Sequence, residues 1–236
     1  MRARSLARFV SAALVAMGLP LTMSVQSATA APCADIEVVF ARGTVEPLPP
    51  LGLTGTAFVE TLRASAGGRS VGSYGVEYQA SSDFSNPTAF ARTVLDGISD
   101  AQRHVEFIAT TCPGTRIVIG GYSQGAVVAG FATMDGVPPG VAPEYDQYIP
   151  PPLPPEIASH VAAVVLFAKP SDRFMTDIGA PPIHVSPLYA GKTVEYCIPG
   201  DTICNGAPVG GPNALHVLYV VDGSTVNAAS FVLSRL

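Results

Sequence analysis

A serine stands between two glycines in the pentapeptide Gly-Tyr-Ser-Gln-Gly at residues 121–125. The pattern Gly-x-Ser-x-Gly is typical of a sharp turn between a strand and a helix that presents a nucleophilic serine. An apolar run at residues 116–120 precedes the pentapeptide and a helix-prone stretch follows it, as such a turn requires. The glycines let the strand and the helix pass close to each other. We therefore predict that Ser123 is a nucleophile; the alternative is a glycine-rich turn with an idle serine.

A serine hydroxyl needs a general base before it attacks a carbonyl carbon. In α/β-hydrolases the order along the chain is serine, acid, histidine, so the base should follow Ser123. His104 precedes it, in a predicted helix, and His160 directly precedes a strand, at the edge of the sheet away from the expected site. The candidates that remain are His184 and His216.

The acidic partner distinguishes these two histidines. His216 has Asp201 upstream, in the segment Cys-Ile-Pro-Gly-Asp-Thr-Ile-Cys, where a disulfide would hold the carboxylate in place to orient an imidazole tautomer. His184 has Asp172 or Asp177 instead, but that pairing leaves the loop between the cysteines without a role. We favour His216 with Asp201; the alternative for this aspartate is a solvated turn residue.

A tetrahedral intermediate also needs two hydrogen-bond donors for its oxyanion. The backbone N–H of Gln124, the residue after the nucleophile, is predicted to be one of them. The other is expected from the loop after an early strand. Residues 42–44 end the first predicted strand, so we assign the second donor to the Thr44 N–H, with its hydroxyl assisting.

The four cysteines, an even number in a chain that we expect to be exported, indicate two disulfides. Four cysteines allow three pairings. We favour Cys33–Cys112, because each directly precedes a predicted strand and parallel strands begin at the same edge of a sheet. We favour Cys197–Cys204 because the two are close in sequence. Zinc binding is the alternative, but the spacings contain no close Cys-x-x-Cys pair.

Strand and helix patterns alternate along the chain and must position these residues. Short apolar runs predict strands at residues 35–41, 71–78, 116–120, 161–167 and, more weakly, 193–197. Apolar residues at helical spacing predict helices at residues 55–66, 87–110, 124–133 and 228–236. Strands that are apolar throughout and separated by helices indicate an α/β domain, whose parallel sheet is covered by helices on both faces.

One segment breaks this alternation, because eight prolines fall between residues 136 and 155. Proline excludes regular helix and central strand there. We predict a stiff surface loop, in which Tyr145, Tyr148, Ile149 and Leu153 are candidate packing residues. α/β-Hydrolases have lids at this point of the chain, so for a chain of that fold we hypothesise that the loop forms a rigid rim or partial cap over the acyl pocket.

The amino terminus has the parts of a signal peptide: arginines, an apolar run, and Ala-Thr-Ala at residues 28–30. We predict that residues 1–30 are removed, with cleavage after Ala31 the next choice, and that residues 31–236 form a secreted domain. An uncleaved membrane anchor is the alternative, but Pro20 and the cleavage site argue against it. Retention at the cell envelope is left open.

Charge excludes one class of partner. The chain has 13 Lys and Arg against 18 acids, and loss of three arginines with the signal peptide leaves a net charge of −8. An acidic chain without a basic stripe is a poor binder of nucleic acid. We therefore predict no nucleic-acid partner.

Four segments together resemble the cutinase family, in particular its mycobacterial and actinobacterial members. They are residues 41–46 (Ala-Arg-Gly-Thr-Val-Glu), residues 120–125, the pattern Cys-x-x-x-Asp-x-x-Cys at residues 197–204, and Ala-Leu-His-Val-Leu-Tyr at residues 214–219. The last segment has one residue inserted before the histidine of the family's Ala-His-x-x-Tyr. The resemblance runs from about residue 32 to residue 236. Ala168 and Lys169 depart from it, because relatives usually carry glycine and a small or acidic residue there.

The resemblance implies a compact α/β-hydrolase with a central five-stranded parallel sheet. It implies Ser123, Asp201 and His216 as a catalytic triad, Thr44 and Gln124 around the oxyanion, and the two disulfides favoured above. It also implies carboxylic esters of short to medium acyl chains as substrates, with no metal or organic cofactor. We expect a monomer that contacts lipid surfaces transiently. The alternatives are a lipase or phospholipase for longer chains, and an exported surface-binding protein that has lost catalysis.

Overall fold

The computed structural model describes residues 33–236, and the predicted signal peptide lies outside the described residues. Its five strands are β1 (Ile36–Ala41), β2 (Val71–Gly75), β3 (Arg116–Tyr122), β4 (Val161–Phe167) and β5 (Thr193–Tyr196). All pairings are parallel and form one sheet in the order β2-β1-β3-β4-β5. The predicted α/β fold with a five-stranded parallel sheet is thereby confirmed.

Two strands, β2 and β3, end at residues other than the predicted ones, because pairing with neighbouring strands sets where each strand ends. β3 continues two residues past its predicted end, because Gly121 and Tyr122 still pair with β4. β2 stops at Gly75, the last residue that pairs with β1. The strands β1, β3 and β4 are almost wholly buried, as expected for the interior of a sheet covered on both faces.

Six α-helices accompany the sheet in the described part of the chain: α1 (Gly52–Ser65), α2 (Pro87–Thr111), α3 (Gln124–Ala132), α4 (Asp172–Asp177), α5 (Pro187–Ala190) and α6 (Ser224–Leu233). The apolar sides of α1 and α6 pack in one core on one face, and those of α2 and α3 pack in a second core on the other face. Between residues 33 and 236, no helix combines the length and the apolar character needed to cross a membrane.

The helix α6 begins four residues before its predicted start. The Asp222 carboxylate accepts hydrogen bonds from the Ser224 backbone N–H at 2.9 Å and from its hydroxyl at 2.8 Å. Gly223, with φ 94°, turns the chain between these two residues. This local turn, rather than apolar periodicity, marks the start of the helix.

The proline-rich loop contains a 3₁₀ helix, Pro143–Tyr148, and is only partly packed. Leu153 lies in the core beside α2 and α3, and Ile149 packs against that core, but Tyr145 and Tyr148 are exposed. Two of the four predicted packing residues therefore pack.

The anchors of this loop lie away from Ser123. The Gln102 amide donates hydrogen bonds to the Ala132 carbonyl at 3.3 Å and to the Pro151 carbonyl at 3.1 Å. Ala132 ends α3, whereas Ser123 immediately precedes that helix. The loop joins the carboxyl end of α3 to the start of β4, so both its ends lie toward the edge of the sheet opposite to the serine. The hypothesis of a cap over the acyl pocket thus has no supporting contact among the described residues.

Candidate active site

Ser123 occupies the turn between β3 and α3. Its backbone has φ 53° and ψ −117°, which is rare for a residue with a side chain. The Ser123 N–H donates to the Phe167 carbonyl at the end of β4 at 2.9 Å, so the turn is tied to the neighbouring strand. Such a conformation persists only where the surroundings enforce it.

Two glycines make this turn sterically feasible. A Cβ at Gly121 would overlap the Gly125 carbonyl, and a Cβ at Gly125 would overlap the Ala41 carbonyl at the end of β1. Gly125 therefore lets the first turn of α3 lie directly against the loop that follows β1. The predicted reason for both glycines, close passage of backbone, is confirmed.

The serine, histidine and aspartate predicted as a triad form a continuous hydrogen-bonded chain. His216 Nε2 lies 2.9 Å from Ser123 Oγ, and His216 Nδ1 lies 2.9 and 3.1 Å from the two Asp201 oxygens. Because the ionised carboxylate only accepts, Nδ1 carries the proton and Nε2 is free to accept from the serine hydroxyl. The hydroxyl of Tyr122 donates to the His216 carbonyl at 2.6 Å and holds the short 3₁₀ helix that carries the histidine.

The Asp201 carboxylate is fully buried but amply hydrogen-bonded. Besides the imidazole, it accepts from the Ile203 N–H at 3.0 Å and from the Tyr219 hydroxyl at 2.7 Å. Burial by itself would raise the pKa of this carboxyl, but the hydrogen bonds from His216, Ile203 and Tyr219 together bring the pKa below its ordinary value. Asp201 is therefore ionised at neutral pH.

Tyr219 is a contributor that sequence reasoning did not identify. Its ring is fully buried between the sheet and α6, and its hydroxyl also accepts a hydrogen bond from the Ile198 N–H at 3.0 Å. Burial, followed by the contacts with Asp201, raises the pKa of the phenol, which therefore stays protonated. The quoted segment at residues 214–219 contains this tyrosine, but sequence spacing does not reveal that its hydroxyl reaches the carboxylate.

Both favoured disulfides are present. Cys33–Cys112 links residues separated by 79 positions, and Cys197–Cys204 closes a loop with a separation of 7 around Asp201. No cysteine in the described range is free.

The other candidate histidines make contacts outside the triad. His184 Nε2 lies 3.6 Å from Asp135 and is exposed, so the alternative pairing with Asp172 or Asp177 does not form. His104 stacks on a tyrosine ring of β2.

The predicted oxyanion donors are available. Neither the Thr44 N–H nor the Gln124 N–H donates a hydrogen bond to any other residue in the range 33–236. Glu46, which sequence reasoning missed, fixes the loop that carries Thr44: its carboxylate accepts from the Gly43 N–H at 2.8 Å and from the Thr54 N–H at 2.7 Å. The side-chain amide of Gln124 donates to the Ser81 carbonyl at 3.2 Å.

Three exposed apolar side chains are close in sequence to residues of the candidate site. Val45 follows Thr44, Phe84 follows the Ser81 loop, and Val217 follows His216; their exposed fractions are 68%, 64% and 63%. These three side chains are called the apolar rim below.

Comparison with known proteins identifies the family. The sequence model described as Cutinase matches residues 32–236. The chain belongs to the cutinase family. It is 48% identical over 179 residues to the probable carboxylesterase Culp5 of Mycobacterium tuberculosis, covering 76% of this chain and 95% of that protein. It is 41% identical over 241 residues to carboxylesterase Culp1 of Mycobacterium bovis, covering 100% of this chain and 98% of that protein.

A solved structure of a cutinase is similar to this chain in fold. A Trichoderma reesei cutinase in complex with a phosphonate inhibitor is similar to this cutinase-family chain with a TM-score of 0.62 and 29% identity. The similarity covers 86% of this chain and 77% of that one.

The surroundings of the two residues that depart from the expected family pattern differ. Ala168 is fully buried with φ 49°, in the left-handed region where glycine fits without strain. Lys169 pairs with Glu195 on β5 at 2.8 Å, so its charge is locally balanced.

Proposed function

We propose that this chain is a serine esterase in which Ser123 is the nucleophile, His216 the general base and Asp201 the residue that orients and stabilises the imidazole. Its membership in the cutinase family, together with its carboxylesterase relatives, makes it a carboxylic ester hydrolase. The observation that carries the assignment of roles is the unbroken hydrogen-bonded chain from Ser123 Oγ through both imidazole nitrogens to the buried carboxylate.

The proposed reaction is acyl transfer in two stages. His216 Nε2 takes the proton of Ser123 as Oγ attacks the ester carbonyl carbon, and the imidazolium then protonates the leaving alkoxide. Water, deprotonated by the same nitrogen, attacks the acyl-enzyme and releases the carboxylic acid. In both stages the carbonyl oxygen becomes an oxyanion, for which we propose the N–H groups of Thr44 and Gln124 as donors.

The substrates proposed are esters of short to medium acyl chains. The apolar rim of Val45, Phe84 and Val217 offers contact to an aliphatic chain that leaves Ser123, whose side chain is itself partly exposed. Each buried methylene adds only about 0.8 kcal/mol, so a rim of three side chains favours chains of a few carbons over very short ones without strong discrimination.

The deciding experiment is hydrolysis of p-nitrophenyl acetate, butyrate, octanoate and palmitate by the parent chain and by Ser123→Ala. We expect the variant to lose nearly all activity, and a serine-directed organophosphate to label Ser123 in the parent, as located by mass spectrometry. Ser65→Ala, an exposed serine at the end of α1, is the matched control and should retain full activity. Substantial hydrolysis by Ser123→Ala, or labelling elsewhere, contradicts the proposal.

We also propose that residues 1–30 direct export and that residues 31–236 form the mature enzyme. Two disulfides support an oxidising destination. Amino-terminal sequencing of protein recovered from the culture medium should begin at Ala31; an intact Met1 contradicts cleavage.

A further inference from the structure

A cavity of about 420 Å³ lies at the edge of the sheet where the strands begin. Three basic residues line it: Arg116, the first residue of β3, Lys192, directly before β5, and Arg235, two residues after the end of α6. Ser123 follows the other end of β3, about 20 Å away at roughly 3.3 Å for each residue of the strand. The cavity is therefore separate from the candidate active site.

The three basic side chains are held by hydrogen bonds to backbone carbonyls around the cavity. Arg116 Nη1 donates to the Ser159 carbonyl at 2.8 Å, and Arg235 Nη1 donates to the Gly191 carbonyl at 2.8 Å. Lys192 Nζ donates to the Ala158 carbonyl and, at 2.9 Å, to that of Val161. Each arginine is held by one hydrogen bond from its guanidinium group, so its other N–H groups can donate to a ligand.

The positive charge of this cluster is not balanced by neighbouring acids. Among residues 33–236, no acidic side chain lines the cavity, and none of the three basic residues takes part in an ion pair. Burial, followed by repulsion from Arg116 and Arg235, lowers the pKa of Lys192. Three basic side chains and no acid gather here, although acids outnumber basic residues in the chain as a whole. Like charges gathered without a counter-charge are unfavourable unless an anion joins them.

We propose that this cavity, named here the basic cavity, binds a phosphate group. Two planar guanidinium groups with free N–H donors suit the tetrahedral array of phosphate oxygens, and the ammonium adds a third positive charge. A phosphate carries more charge and more acceptors than a carboxylate, so it matches a triple cation better. The cavity leaves room for the group that the phosphate is attached to, which is either a free small molecule or the headgroup of an anionic lipid.

The test is isothermal titration of the mature chain with inorganic phosphate, at constant ionic strength set with chloride. We expect saturable binding that weakens at least tenfold in Arg116→Gln/Arg235→Gln and stays unchanged in Arg92→Gln, which removes an exposed, unpaired arginine of α2. Hydrolysis of p-nitrophenyl butyrate at the parent rate shows that the double variant is folded. If it does not fold, the single Arg235→Gln, at an exposed position, should weaken binding at least threefold.

Vesicle sedimentation distinguishes the two sources of phosphate. Binding to phosphatidylglycerol vesicles, absent with phosphatidylcholine and lost in the double variant, identifies a lipid headgroup. Phosphate binding without selective sedimentation identifies a free phosphorylated molecule. Absence of both, or equal loss in Arg92→Gln and the double variant, overturns the proposal. Esterase activity is measured separately in each case, so failure of the basic cavity does not bear on Ser123.

Discussion

Removal of the Tyr219 hydroxyl tests how the buried carboxylate of Asp201 is held. The change Tyr219→Phe keeps the ring in its packed position but deletes one of the donors to Asp201 and the acceptor of the Ile198 N–H. A hydrogen bond to a charged group contributes about 2 kcal/mol, and a buried N–H left without its acceptor costs about 1 kcal/mol. We therefore expect the free energy of unfolding at pH 7 to fall by about 3 kcal/mol.

The effect should depend on pH in a defined direction. The pKa of Asp201 in the folded protein lies below its ordinary value of 3.8, so its ionisation stabilises the folded state above about pH 4. That contribution is lost as pH falls through the folded-state pKa. The difference between Tyr219→Phe and the parent should thus be complete at neutral pH and shrink below about pH 4.

The Tyr219→Phe change should lower kcat much less than loss of the Asp201 charge would. The carboxylate keeps its charge in Tyr219→Phe, so we expect kcat to fall about tenfold with little change in KM, whereas loss of the charge costs about 10⁴-fold in a related triad. Urea denaturation across pH and steady-state hydrolysis of p-nitrophenyl butyrate provide the measurements.

The matched control is Tyr189→Phe. Tyr189 is as deeply buried, with 1% exposure, and its hydroxyl has no hydrogen-bond partner in the part of the chain that the structure describes. This variant should be as stable and as active as the parent, or slightly more stable. If the two phenylalanine variants are indistinguishable in stability and in kcat, the assigned role of Tyr219 is wrong.

Three further outcomes follow from the geometry. Asp201→Asn should lower kcat about 10³- to 10⁴-fold, because an amide N–H facing Nδ1 selects the tautomer that cannot accept the serine proton; unchanged kcat would exclude an orienting role. Gly125→Ala should abolish soluble expression because its Cβ overlaps backbone, whereas Gly136→Ala, which has open space, should express normally, and equal yields would contradict the steric reasoning. Replacing Cys197 and Cys204 with serine should cost about 2.4 kcal/mol of stability from loop entropy, together with a large loss of kcat; unaltered kcat would show that the disulfide does not position the aspartate.

Much of this fold was predictable because the signals were local or topological. The apolar runs of the buried strands are those that a sheet covered on both faces requires, and the chain order of serine, acid and histidine is that of α/β-hydrolases. The cap proposed for the loop at residues 136–155 stays a hypothesis. Topology bears on it, because a connection from a helix to the next parallel strand begins and ends at the edge where strands begin, away from Ser123.

Other features depend on tertiary placement that spacing does not encode. Tyr219 and Glu46 act through side-chain oxygens that accept backbone N–H groups of other elements, namely Ile198 on the disulfide loop and Thr54 on α1. Both residues lie in segments that carry the family resemblance, but the motifs do not show which groups their oxygens contact. Pairwise contacts of this kind become visible only when the loops have been placed.

The backbone conformation of Ser123 sets thermal stability against catalytic activity. A residue with a side chain at φ 53° costs about 1–3 kcal/mol relative to a relaxed conformation, and glycine would relieve most of that cost. Ser123→Gly should therefore melt at a higher temperature than the parent while hydrolysing nothing. At this one position the more stable residue makes an inactive protein. The strained serine is therefore kept for catalysis at a cost in thermal stability.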